Sequence, residues 1–218
     1  MNRHLLTTGL ALLACLIASA PARAERDSGA SHNLLLKAKL NDDWFVISRS
    51  NVATRNDFGQ DFLAFTGAGL GYQVDDHWSL RGGYRHVWFR PVRDWLEEDR
   101  FYAEAYYARR FDQARFTSRS RAEFRFFDYQ DDELRLRNEF VIEANAPLPG
   151  TDFRPYLEEE FFIGGDDGRL EANWLGVGLA WRPMDGVKIK VGYRWNRFRV
   201  GSDWRHRDVL VTGVNLFF

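Results

Sequence analysis

Arginine and glutamate occupy every second position over long stretches of this chain. Between Arg115 and Phe127 the odd positions hold Arg115, Thr117, Arg119, Arg121, Glu123 and Arg125, while the even ones hold Phe116, Ser118, Ser120, Ala122, Phe124 and Phe126. The next run sets Arg135, Arg137, Glu139 and Glu143 against Leu134, Leu136, Phe140 and Ile142. A third places Arg154, Tyr156, Glu158 and Glu160 on one face and leaves Glu159 as a charge on the other, where it calls for a rim position. A period of two belongs to a β-strand with one wet and one apolar face. Facing rows of guanidinium and carboxylate can line an aqueous passage and sort charged solutes, or interlock and fill a narrow interior. Arginine suits both, because its planar fork pairs a carboxylate bidentately where lysine cannot.

Sharper chemistry has weaker support. The histidines beyond the N-terminal region are His32, His77, His86 and His206, and only His77-Trp78-Ser79 resembles the His-x-Ser arrangement of outer-membrane lipid hydrolases. A base and a hydroxyl of that kind would have to meet at a reacting centre; at the start of a strand, turn capping is the commoner use. A lipid-modifying hydrolase is therefore the alternative reading, and a non-enzymatic role is the expected one. Gly67, Gly69 and Gly71 are spaced by two, unlike the glycines of a phosphate-binding turn, and read as room for bulky neighbours on one strand face. No motif calls for a metal or a cofactor.

The charged rows need strands to carry them, and the end of the chain shows what solvent those strands meet. Val187 to Asn196 alternates apolar with cationic, small or polar residues, and the chain closes with Leu210, Val214, Leu216 and Phe218 on one face. An aromatic terminus inside a strand resembles the barrel-closing strand of bacterial outer-membrane proteins, which the barrel-assembly machinery reads. The fold class is accordingly all-β, an antiparallel transmembrane barrel. Strands are expected near 44–52, 60–73, 78–90, 100–110, 115–127, 134–144, 153–163, 170–181, 187–198 and 206–218. That makes ten, an even number, or twelve if strands are missed. The apolar run Leu34 to Leu40 is the leftover, placed at the rim or lumen or in a further strand.

Charge sets the faces, since one cation at the bilayer midplane of a barrel costs about 2–4 kcal/mol. Arg119, Arg121, Glu123, Arg125, Arg135, Arg137, Glu139, Glu143, Arg154, Glu158 and Glu160 therefore form a lumen ladder. A hairpin centred near Gln130 sets Glu123 opposite Arg137 and Arg121 opposite Glu139; across the next turn Arg137 nears Glu160 and Glu143 nears Arg154. Trp44, Trp78, Trp88, Trp181, Trp195 and Tyr72 fall at or beside strand ends, as interfacial anchors do. Tyr102, Tyr106 and Tyr156 are the lumen aromatics. Compact connections such as 74–77 and 182–186 are expected on the periplasmic side with Phe218, and the longest loop, Pro91 to Asp99, on the other.

Residues 1–24 read as a secretory signal: Arg3 and His4, an apolar run from Leu5 to Ala18, and Ala22-Arg23-Ala24 as the cleavage site before Glu25. Cys15 is the only cysteine, so the mature chain has no disulfide. Leu13-Ala14-Cys15 is a poorer, lipoprotein-like alternative site. The formal net charge of −1 becomes −3 without Arg3 and Arg23, which suggests no nucleic-acid partner. A mean hydropathy of −0.44 argues against membrane helices but not against a barrel, whose strands give half their residues to a polar lumen. The segment 25–43 then precedes a single barrel domain, 44–218.

Arg119-Ser120-Arg121-Ala122-Glu123-Phe124-Arg125, Leu134-Arg135-Leu136-Arg137, Arg154-Pro155-Tyr156-Leu157-Glu158-Glu159-Glu160-Phe161-Phe162 and Gly192-Tyr193 with Trp195 resemble the domain-of-unknown-function 2490 proteins. These are bacterial proteins taken as outer-membrane barrels with no assigned activity. The resemblance covers Trp44 to Phe218. It implies the fold and an outer-membrane location and brings no catalytic residue. The expected protein is a monomer in outer-membrane lipid, either structural or a passive route for small polar or charged solutes. Alternation alone is shared with soluble periplasmic β-sandwiches.

Overall fold

The computed structural model describes residues 26–218; the expected signal segment 1–24, its cleavage point before Glu25 and Cys15 lie outside them. Eleven strands fill the described chain: β1 (Arg26–Lys39), β2 (Trp44–Arg55), β3 (Gln60–Gln73), β4 (Trp78–Phe89), β5 (Leu96–Arg110), β6 (Ala114–Phe127), β7 (Glu133–Ala144), β8 (Arg154–Gly164), β9 (Leu170–Met184), β10 (Val187–Val200) and β11 (Asp203–Phe217). Each pairs antiparallel with its sequence neighbour, and β1 pairs parallel with β11 to close the barrel. Closure leaves no unpaired edge.

The expected ten strands are thus corrected to eleven, and the extra one is β1. Of the places open to Leu34 to Leu40, the further strand holds: most of it is the second half of a 14-residue strand, with Leu35 and Lys37 bordering the lumen cavity. The stretch before Asn33 belongs to the same strand, for Arg26 begins the ladder opposite His206. Parity explains the parallel seam: with an odd number of strands in an up-and-down order, the first and last run the same way. Local fit holds the polar half of β1. Thr54 Oγ1 accepts from the Ala30 amide at 3.0 Å, and a Cβ on Gly29 would stand 2.0 Å from the Thr54 carbonyl oxygen. The barrel therefore includes residues before Trp44. At the far end of the seam the Phe218 amide donates to Lys37 and its carbonyl accepts from Lys39, at 2.9 and 3.0 Å.

The connections 40–43, 74–77, 111–113, 145–153 and 185–186 lie at the rim where the chain ends, and 56–59, 90–95, 128–132, 165–169 and 201–202 lie at the other. The longest is 145–153, on the C-terminal rim, so the expected asymmetry of loop length is corrected. β5 begins at Leu96 and shortens the loop after Pro91. The 145–153 connection is instead folded on itself, with the Leu148 amide donating to Phe153 at 2.8 Å and the Thr151 amide to Leu148 at 3.1 Å.

The outer face carries the large apolar residues. Leu80, Phe101, Phe124, Leu136, Ile142, Val191 and Leu210 are all exposed. Leu210, Val214, Leu216 and Phe218 share that outward side of the C-terminal stretch. Aromatic pairs ring the C-terminal rim: Trp44 with Tyr72 at 5.0 Å, Trp78 with Tyr107 at 4.9 Å and Phe153 with Trp181 at 6.3 Å between centroids. Glu159 is not at a rim. It stands mid-strand on the outer face and accepts a 3.2 Å hydrogen bond from Asn173.

Candidate functional site: the charged lumen

Strand parity puts the charged rows on one face, and closure turns that face inward. The register differs from the expected one by two residues: Arg121 faces Arg137, Glu123 faces Arg135 and Arg119 faces Glu139, while Glu139 faces Glu160 and Glu143 faces Tyr156. A shift of two preserves the face and changes the partner. Like charges therefore face each other at Arg121–Arg137 and Glu139–Glu160, opposite charges at Glu123–Arg135 and Arg119–Glu139, and further attraction runs along diagonals, within reach of long side chains. Arg137 bonds Glu123 at 2.8 Å on one side and Glu160 at 2.7 Å on the other. The expected approach of Arg154 to Glu143 does not occur: Arg154 donates to the Asn145 carbonyl at 3.0 Å, and Arg182 and Lys188 hold Glu143.

Facing and diagonal contacts together make several carboxylates hubs. Glu123, 1 % exposed, accepts from Arg121 at 3.2 Å, Arg135 at 2.5 Å and Arg137 at 2.8 Å, with Arg85 and Arg100 at 3.9 and 3.8 Å. Glu104 takes Arg121 at 2.5 Å and Arg81 at 3.1 Å. Glu98 takes Arg125 at 2.7 Å and also Arg100. Glu160 takes Arg119 at 3.0 Å and Arg137 at 2.7 Å; Glu158 takes Lys190 at 2.8 Å. A buried charge is tolerated only when paired and hydrogen-bonded, and charge-assisted contacts of this kind meet that demand.

Aromatic side chains interleave with the ions. The Tyr102 hydroxyl rests where Gly69 and Gly83 face each other, 2.6 Å from where either Cβ would stand, and the Tyr156 hydroxyl does the same over Gly178 and Gly192, at 2.6 and 2.4 Å. The Phe45 ring covers Gly71, and the backbone of β4 crowds Gly67. The glycines spaced by two thus make room for neighbouring side chains and backbone.

Several members of the network stand outside the ladder read from sequence. Arg81 and Arg85 on β4, and Glu98, Arg100 and Glu104 on β5, are all buried, and Arg182, Lys188 and Lys190 reach over from β9 and β10. Alternation could have found them, since Ser79, Arg81, Gly83 and Arg85 repeat with the same period. Glycine and tyrosine interrupt the charge there and mute the signal.

The ions do not fill the barrel. A cavity of about 1920 Å³ lies beside them, its lining reaching from Asn56 and Pro91 at one rim to Asp185 and Phe217 at the other. Seventeen lysines and arginines line it against eight aspartates and glutamates, so the free space faces a cationic wall. Arg194 borders it, its guanidinium 4.2 Å above the Trp174 ring and its Nε donating to Asn196 at 2.9 Å.

His77 and Ser79 do not come together. Ser79 is buried on the lumen side, 3.3 Å from the Arg81 Nε, whereas the His77 ring packs edge-on against Tyr107 in the turn. His86 lies on the outer face, with Nδ1 2.7 Å from Asp99 and Nε2 3.3 Å from Glu97, so both ring nitrogens face carboxylates. His32 lies 2.7 Å from the Thr212 hydroxyl, and His206 stacks on Trp195. Among the described residues no group of three or more His, Cys, Asp or Glu side chains is placed to hold a metal ion. In the turn between β3 and β4 the His77 and Trp78 amides donate to Asp75 at 2.7 and 2.8 Å and hold its carboxyl below the usual range.

A comparison with curated proteins finds no match. The family described as "Protein of unknown function (DUF2490)" matches residues 31–207, from within β1 to within β11 and including all the charged rows. With that much of the barrel covered, the chain belongs to the DUF2490 family.

Proposed function

We propose that this protein is a monomeric outer-membrane barrel, exported by residues 1–24, whose lumen passes small anionic and polar solutes. The cavity carries the reading: about 1920 Å³ with lining residues at both rims and a cationic excess. Rings of fixed cationic side chains draw anions and repel cations without a binding step of high affinity. The outward apolar belt and the aromatic pairs at the C-terminal rim support placement in a bilayer. The periplasmic assignment of that rim belongs to the same proposal.

The protein refolded into planar bilayers should give small ohmic currents whose reversal potential in a salt gradient lies on the anion side. Sealed bilayers would favour the second reading, a filled structural barrel. That reading draws on the contacts across the interior, where Arg49 on β2 reaches Glu104 on β5 at 3.9 Å and Arg119 on β6 reaches Glu160 on β8 at 3.0 Å.

A further inference from the structure

The guanidiniums of Arg81, Arg119, Arg121, Arg125, Arg135 and Arg137 each hydrogen-bond a carboxylate, but Arg49 does not. Its sole carboxylate contact among the described residues is Glu104 at 3.9 Å, and Glu104 is already engaged by Arg121 at 2.5 and 2.8 Å and by Arg81 at 3.1 Å. The Arg49 Nε is buried and finds no acceptor. The charged groups that act on it most strongly besides Glu104 are cations, Arg119, Arg121 and Arg81. Gly67 stands directly opposite on β3 and Arg85 beyond it on β4, so the facing residue of β3 brings no side chain toward the guanidinium. Arg49, Arg81 and Arg119 all border the cavity. A water could satisfy an N–H group there but not the excess charge.

We propose that Arg49, flanked by Arg81 and Arg119, forms an oxyanion-binding site on the lumen wall, for a phosphate-type group on a soluble solute. The proposal rests on the reading of the lumen as a route for anions and names the group that the route recognises. Planar guanidinium edges offer paired donors to tetrahedral oxyanions, a match that a spherical halide cannot use. Inorganic phosphate should therefore occupy the site in preference to chloride and slow chloride movement past it.

Two measurements test this, with inorganic phosphate as the probe. In planar bilayers, phosphate added to a chloride solution should reduce the chloride current in a saturable way. Calorimetric titration of phosphate into the refolded protein in detergent should show binding. Arg49→Gln should weaken both by at least about ten-fold, as expected for losing a charge-assisted bidentate contact. Arg93→Gln, which makes the same change of net charge in the exposed 90–95 connection, should leave both unchanged. If Arg49→Gln fails to refold, Arg49→Lys carries the test and should weaken binding about three-fold through loss of the fork. Phosphate binding in detergent without any anion current would uphold the site and overturn the passage. An anion current indifferent to phosphate, with a flat titration, would overturn the site and leave the passage standing. Equal losses in Arg49→Gln and Arg93→Gln, or no loss in the Arg49 variants, would also overturn it.

Discussion

The inner wall built by β4 to β7 and the inner wall built by β9 to β11 with β1 both carry charge, yet they enclose different amounts of space. On the first, inward positions hold long side chains in close succession: Arg81 and Arg85, then Glu98, Arg100, Tyr102 and Glu104, then Arg119, Arg121, Glu123 and Arg125. They interlock, and Glu123, Arg121 and Glu104 are at most 5 % exposed. On the second, the inward positions that border the cavity include Ala172 on β9, Val209, Val211 and Gly213 on β11, and Ser31 and Asn33 on β1. The cavity runs along that side, with Arg81, Arg85 and Arg119 of the first wall on its opposite border. Side-chain volume, more than charge, therefore decides which part of this lumen is filled, and the same ion pair has a different energetic standing on each wall.

The hub of the packed wall offers the largest test. Glu123→Ala leaves Arg121, Arg135 and Arg137 without their shared carboxylate, and an uncompensated buried charge costs about 3–5 kcal/mol. The thermal midpoint of the folded protein, followed by heat-dependent mobility on gels, should fall sharply. A midpoint equal to that of the unsubstituted chain would mean that water reaches this wall as freely as the other.

Glycines sharpen the comparison at intermediate cost. A Cβ on Gly69 would lie 2.5 Å from the Gly82 carbonyl oxygen and 2.6 Å from the Tyr102 hydroxyl, whereas on Gly213 it would meet nothing nearer than 3.7 Å. Gly69→Ala should lose about 1–3 kcal/mol to overpacking, and Gly213→Ala should be near neutral in the same melting experiment. If the two behave alike, the difference in packing does not survive in solution.

At the border of the open wall, Glu158 on β8 and Lys190 on β10 form a single 2.8 Å pair beside the cavity. Water screens such a pair, so Glu158→Ala should cost about 1 kcal/mol or less, and the added positive charge should move the reversal potential further toward anions. A loss as large as that of Glu123→Ala would show that the open wall is as dry as the packed one.

The smallest effect lies outside both walls, at the Asp75 turn. Two backbone amides lower the Asp75 carboxyl below its ordinary value, so its contribution is present above the unfolded value and is lost as pH falls through the folded one. Asp75→Ala should therefore melt slightly earlier than the unsubstituted chain at neutral pH, with the gap closing as the medium becomes acidic. A gap that persists after Asp75 protonates would assign the effect to turn shape instead.

Which residues face inward was legible from the sequence, because a strand alternates with period two and the cost of charge in an apolar solvent leaves one choice of face for Arg119, Arg121, Glu123 and Arg125. Most strand limits were legible for the same reason; β3 runs over Gln60–Gln73 as expected. The family was legible in the R-x-R-x-E-x-R rows. Partners were not. A register shift of two leaves every face unchanged, so alternation could not choose between Arg137 opposite Glu123 and Arg137 opposite Arg121, and only the closed sheet shows which attractions are direct and which run on diagonals. The eleventh strand was hidden because the first half of β1 is polar and alternates weakly; its ladder with β11 depends on residues some 180 positions apart. Whether the lumen is filled or open was hidden more deeply, since it depends on how side-chain volumes from non-neighbouring strands meet across the interior. Sequence alone set the faces, because facing is local in a strand; tertiary structure alone set the pairs, the closure and the space, because each compares residues the chain brings together only when the barrel shuts.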